Sequence, residues 1–182
     1  MTDAAARTAR PRTARWAVAP EDVGSPDALA LLSDYYTDVA NRYYRLHHGR
    51  ECTPEELAAG LAGSPSDDLA APTGTFLVGR VAGRPVACAG LRVLDRRTAE
   101  LTRVFVRPAA RGTGGGGALL GAIDDAARSL GAERIVLDTR LDLVEARALY
   151  LRHGYREIPA YSSGPYAEVW YGRDVPAAVP AG

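Results

Sequence analysis

Residues 107–131 read RPAARGTGGGGALLGAIDDAARSLG, and the role of this stretch decides the fold. Five of the six positions from 112 to 117 are glycine, and a helix-like run follows at once. Leu119, Leu120, Ile123, Ala126, Ala127 and Leu130 make one apolar stripe at helical spacing, and Gly131 stands where a C-cap belongs. A flexible linker has no need of a helix that begins immediately, so a linker is the poorer reading. Gly112-x-Gly114-x-x-Gly117, with Asp138 about twenty residues on, has the spacing of a dinucleotide fingerprint. Against it, Arg107-Pro108-Ala109-Ala110-Arg111 separates the glycines from the strand, and that strand closes an antiparallel meander. The third reading rests on the missing Cβ. Backbone N–H groups 112–117 can then turn toward one anion, helped by the positive end of the helix and by Arg111 at the mouth. A pyrophosphate suits such a cradle without any lysine.

Working outward, residues 75–106 alternate in a strand-like way and read as three strands. Turn signals at 82–85 and 95–97 divide them. Connections this short make antiparallel neighbours. Upstream, RWAVA (15–19) reads as a short strand and residues 26–46 as an amphipathic helix. TPEELAAGL (53–61) carries a capping box, Thr53 with Glu56, and Pro54 at the first helical position. Residues 62–73 read as a polar loop. Downstream, the order is strand 133–139, helix 144–153, strand 155–159 and strand 167–174. The expected class is α/β (α+β), a mixed, mostly antiparallel sheet of about seven strands flanked by about four helices. One domain spans 15–175, between a disordered tail at 1–14 and a flexible one at 176–182.

The composition excludes several functions. The 182 residues carry a formal net charge of zero, which argues against non-specific binding to nucleic acid or to anionic membranes. No apolar run approaches the roughly 18–20 residues that span a bilayer, and residues 1–15 lack the apolar centre of a secretion signal. The expected location is cytoplasmic. All 22 basic residues are arginine, so no lysine can serve as a Schiff-base nucleophile. Cys52 and Cys88 fit no metal spacing, and no metal is expected.

The segment from Val104-Phe105-Val106 through Arg111 to Gly117 resembles the acetyl-CoA signature of the GNAT N-acetyltransferase superfamily. Its core, R/Q-x-x-G-x-G/A, is met by Arg111-x-x-Gly114-x-Gly116. Ala146-x-x-Leu149-Tyr150-x-x-x-Gly154-Tyr155 resembles a second family segment, A-x-x-L-Y-x-x-x-G-F/Y, in the expected place. Leu143 departs from the pattern, since many members carry there an asparagine that bonds the pantetheine arm. The resemblance implies a GNAT fold and acetyl-CoA as cofactor. It would be held by Val104, Phe105, Val106, Arg111, Gly112, Thr113, Gly114, Gly115, Gly116, Gly117, Ala146 and Tyr150. It implies acetyl transfer to the primary amine of a small molecule, directly in a ternary complex. Tyr150 would be the acid for the leaving thiolate and Glu100 the base, unless Glu100 merely pairs with Arg103 or Arg97. His153 reads as a helix cap. Arg42, Tyr43, His47, Tyr161 and Tyr166 fall in segments that line the acceptor site in the family, although Arg42 could equally pair with Asp38. Homodimers are common in the family, and the strand 168–174 offers an edge for one. The alternatives are a non-catalytic acyl-CoA-binding module on the same fold, and a nicotinamide-dependent oxidoreductase.

Overall fold

Strands form where small and β-branched residues alternate in burial, and in this computed structural model the alternation sorts the core onto two faces of one sheet. The structure describes residues 15–177; both expected tails lie largely or wholly outside them. The strands are β1 (Trp16–Glu21), β2 (Gly74–Val81), β3 (Arg84–Val93), β4 (Thr98–Val106), β5 (Arg134–Thr139), β6 (Arg156–Glu157) and β7 (Val169–Asp174). The helices are α1 (Pro26–His48), α2 (Pro54–Ala62), α3 (Gly115–Ser129) and α4 (Val144–Arg152). The seven strands lie in the order β1-β2-β3-β4-β5-β7-β6, and β4 with β5 is the one parallel pair among them. That parallel step needs a crossover, and α3 provides it. The expected class is therefore the observed one. The dinucleotide alternative falls here, because β4 enters the glycine turn from antiparallel neighbours through a short 3-10 turn, Pro108–Ala110.

Leu77, Ala87, Ala89 and Leu91 point to one face, with Leu119, Leu120, Ile123 and Ala127 of α3. Phe76, Val78 and Cys88 point to the other, with Ala28, Leu31 and Leu32 of α1. Each buried Leu or Ile on these faces is worth about 1.5–3 kcal/mol of transfer free energy. Strand β4 changes sides partway along. Ala99 and Leu101 join the α3 core, but beyond Arg103 it is Val104 and Val106 that do so, while Phe105 joins the α1 core. The cause is a bulge. Gly90 faces Thr102 and Cys88 faces Phe105, so Arg103 and Val104 together oppose the single residue between them. Arg103 takes φ 55 to make it. One extra residue flips every later side chain.

Local signals meet their expectations. Thr53 caps α2 with the reciprocal Glu56 bond, and Ser25 caps α1 by accepting from the Ala28 amide. Three details differ from expectation. Helix α1 runs through His48, so His47 sits in its last turn rather than in a following loop. Strand β6 shrinks to two residues, because its partner β7 is met only at Tyr171 and Gly172. Strand β7 is flanked by β5 and β6, and Trp170 accepts from the Ile158 amide, so it is not the open edge that a pairing across an interface requires. The loop at 62–73 is also less polar in effect than in composition. Leu69 is only 1% exposed and plugs the α1 face, where a Cβ on Gly90 would come within 2.6 Å of its Cδ1.

Leu69 thus ties that loop to the sheet. Leu69→Ala leaves a cavity at a site that a neighbouring glycine cannot fill, and is expected to cost about 2–5 kcal/mol. Urea denaturation measures it, and a loss below about 1 kcal/mol would show that the loop is not anchored there.

Candidate active site

Parallel pairing between β4 and β5 covers only residues 98–100 against 134–136. Past Glu100 the two strands part, and the gap opens into a cavity of about 1700 Å³. Its lining includes residues 101–106 of β4, Asp138 to Arg140 at the end of β5, the glycine turn, α4, one side of α1, and most of the loop at 63–68. A drug-sized ligand needs some 300–1,000 Å³, so this space has room for something larger, or for two molecules.

The glycine turn forms one wall. Gly112 and Gly114 take φ 76 and 99, and a Cβ added at either would meet no atom within 4 Å. These two are glycine for conformational reasons. Gly115 and Gly116 are glycine for space: a Cβ would fall 2.5 Å from the Trp16 ring and 2.8 Å from Leu149 Cδ2 respectively. Gly114 caps α3, and the first helical bond runs from the Ala118 amide to the Gly114 carbonyl at 3.1 Å. The amides of Gly115, Gly116 and Gly117 therefore precede the helical ladder without an acceptor among the described residues, at the positive end of a 15-residue helix. Arg111 stands beside them. Its Nε donates to the Val106 carbonyl at 2.9 Å and Nη2 to Asp38 of α1 at 3.1 Å.

Of the anticipated cofactor residues, all but Thr113 line the cavity. Thr113 is exposed and bonds within the turn: its hydroxyl donates to the Ala110 carbonyl, and its own carbonyl accepts from Trp16 Nε1 at 3.0 Å. It braces the turn against β1, a role for Trp16 that no local signal announced. Tyr150 lines the cavity at 6% exposure, packed edge-on to Tyr155, and its hydroxyl meets no acceptor among the described residues. Burial pushes its pKa up, so the phenol stays protonated. Leu143 leaves the start of α4 without a side-chain cap. His153 is the expected cap, its Nδ1 lying 2.9 Å from the Leu149 carbonyl.

The anticipated acceptor residues divide. Arg42, Tyr43 and Tyr166 line the cavity, and the rings of Tyr43 and Tyr166 meet edge-to-face at 5.4 Å. His47 stacks on Tyr43 from outside the lining. Arg42 does not pair with Asp38. It pairs with Asp142 at 3.2 Å and Glu145 at 2.9 Å, while Arg111 takes Asp38. Asp142 also holds Arg140, which is 8% exposed and lies over the Tyr43 ring at 5.4 Å. Bonding to Arg140 holds the Asp142 carboxyl below its ordinary range.

Glu100 is 6% exposed and set back from the lining. Its salt-bridge partner is neither Arg103 nor Arg97. Arg92 donates to it through Nε at 2.6 Å, and Tyr161 donates its hydroxyl at 2.8 Å. Tyr161 is therefore behind the cavity too, its pKa raised by burial and then by Glu100. Within the lining, hydrogen bonds from Arg50 hold Glu56 at about 2, and Glu145 is likewise held below its ordinary range.

Residues 32–155 match the family model described as Acetyltransferase (GNAT) family. An IAA acetyltransferase of Azospirillum brasilense is 35% identical over 99 residues, 54% of this chain and 63% of that protein. This chain thus matches less than two thirds of that relative's length. An acetyltransferase structure from Streptococcus agalactiae superposes with a TM-score of 0.65 at 21% identity, over 87% of this chain and 98% of its own. A GNAT family acetyltransferase from Elizabethkingia anophelis, solved with acetyl-CoA bound, gives 0.56 at 17% identity, over 87% and 97%. At such identities the likeness is one of fold. Among the described residues no helix is long and apolar enough to cross a membrane. With a family match across most of its length, this chain belongs to the GNAT acetyltransferase family.

Proposed function

We propose that this chain transfers an acetyl group from acetyl-CoA to the primary amine of a small molecule, directly, with both bound together. The observation that carries this reading is the cradle: uncommitted amides at Gly115, Gly116 and Gly117, beside Arg111, opening into a cavity large enough for two ligands. The acetyl-CoA bound in the Elizabethkingia anophelis relative supports the same choice. Here the amides and Arg111 would take the pyrophosphate, and the unpaired edge of β4 at 104–106 the pantetheine arm. Acetyl-CoA supplies an activated thioester with a good leaving group.

The protein's own groups do the rest. The backbone of Val104 to Val106, released from β5 by the splay, offers amide donors for developing charge on the thioester oxygen. Tyr150 holds a proton on its Oη throughout the neutral range and offers it to the departing sulfur. Burial that raises its pKa also makes it a reluctant acid, so its contribution is a hydrogen bond that strengthens as charge collects. Glu100, occupied by Arg92 and Tyr161, positions those two side chains, and the ammonium proton leaves to water at the open mouth. Covalent transfer through Cys88 is disfavoured, because burial pushes its thiol up to about 12. Cys52 and Cys88 are both free thiols, which suits a cytoplasmic setting.

An amine panel read by thiol release from acetyl-CoA tests the activity, and binding without any release would return the chain to a non-catalytic module. Tyr150→Phe is expected to lower kcat by about 100-fold with little change in the KM for acetyl-CoA. Because the raised phenol pKa adds no falling limb near neutrality, the wild-type rate should climb with pH until the acceptor amine has lost its proton. Full turnover in the phenylalanine variant would remove Tyr150 from the chemistry. Gly114→Ala forces a Cβ into φ 99 and is expected to weaken acetyl-CoA binding about tenfold, with Gly114→Asn less affected. Isothermal titration decides this, and undiminished binding by the alanine variant would move the pyrophosphate elsewhere.

A further inference from the structure

The arginines of the cavity are not equivalent. Arg42, Arg92, Arg111 and Arg140 each hold a carboxylate of the protein itself. Two further arginines of the lining, Arg152, exposed at the end of α4, and the half-buried Arg103, hold none among the described residues. The Nε, Nη1 and Nη2 of Arg103 donate to Ser66 Oγ at 3.4 Å, Thr102 Oγ1 at 3.1 Å and the Ser64 carbonyl at 3.3 Å, all neutral and two of them long. The guanidinium lies over the Tyr36 ring at 5.1 Å and is half-buried. The backbone at this residue is left-handed, φ 55, and the bulge it creates starts the segment 104–106 that would face the thioester. A cation kept from solvent by an aromatic ring, with donors unspent, is ready for an anion from outside.

We infer that Arg103 selects the acceptor: the amine that this enzyme acetylates carries a carboxylate, which the Arg103 guanidinium binds in the cavity. The inference rests on the acetyl-transfer reading above. Three features support a small acceptor of amino-acid type. Arg103 is the residue next to Val104 in the chain, so the carboxylate and the reacting amine lie a short way apart. The neighbouring rings of Tyr35 and Tyr36, and Phe105 behind them, lower the local dielectric and strengthen an ion pair there. Arg42, the other arginine that an acceptor carboxylate could have used, is spent on Asp142 and Glu145.

The test is a matched panel on the full chain: amino acids, their carboxamides, and the amines lacking the carboxyl group, each scored by thiol release from acetyl-CoA. The acids are expected to show kcat/KM about 10- to 100-fold above their carboxamides. Asparagine tolerates the left-handed region, so Arg103→Asn keeps the bulge while removing the cation. It should abolish the preference through KM for the acid, leaving KM for acetyl-CoA unchanged. Arg103→Lys, which keeps the charge, should retain part of the preference. If uncharged amines are acetylated as well as the acids, or if Arg103→Asn still prefers acids, the assignment is wrong and acetyl transfer stands. If no amine in the panel releases thiol, both readings fall together.

Discussion

The turn of β4 at Arg103 is the constraint on which the rest of the structure depends. Before it, β4 is an ordinary member of the sheet, bonded to β3 on one side and β5 on the other. After it, the strand still follows β3 but no longer pairs with β5, and its alternation has reversed. Without the bulge, Phe105 would face α3 and Val104 would face α1, and neither core would close. With it, an unpaired strand edge runs along a cavity that opens toward the glycine turn. A left-handed residue other than glycine costs about 1–2 kcal/mol. That cost is tolerated where the surrounding packing overdetermines it. Here both cores do so.

A chain without lysine must manage cavity charge with arginine alone, and the network shows how. Guanidinium groups are planar and always charged, so each one near a cavity needs a partner or an aromatic face. Asp38 takes Arg111, Asp142 takes Arg42 and Arg140, and Asp68 with Glu100 takes Arg92. The pairs also tie elements together. Asp142 joins α1 to the turn before α4, and Asp38 holds α1 against the glycine turn. Arg111 is thus held in one orientation at the mouth of the glycine turn by Asp38 and the Val106 carbonyl. The exposed pairs, Arg111 with Asp38 and Arg92 with Asp68, contribute little stability, and their value is positional.

What the sequence made legible follows from the range of each interaction. The capping box at Thr53, the α3 stripe, the His153 cap and the glycine turn all involve residues within a few positions of one another, and all are present. The Arg42 pairing was not legible, since its true partners lie about a hundred positions away while Asp38 lies one turn back. The ion-pair partner of Glu100 is hidden for the same reason: Arg97 and Arg103 are nearer in the chain, but Arg92 is its cross-strand neighbour in the register of β3 with β4. The bulge did leave a trace. Apolar residues fall at 99 and 101, then at 104, 105 and 106, with Thr102 and Arg103 as two polar residues in a row. A strict period of two cannot accommodate that spacing.

The same distinction divides the two ends of the cavity. The glycine-turn end is made from backbone, so it demands particular residues at particular adjacent positions and leaves a motif. Gly112 and Gly114 must take positive φ, and Gly115 and Gly116 must yield to Trp16 and Leu149. The other end is made from side chains that α1, the 63–68 loop, β4 and the segment around Tyr166 bring together from distant parts of the chain. Any of those side chains can change without disturbing the turn, so a family can keep one ligand and vary the other. Arg103 belongs to both ends. Its backbone makes the bulge that opens the strand edge, and its half-buried guanidinium, without a carboxylate partner among the described residues, stands in the opposite wall, so one residue both opens the cavity and adds charge to that wall.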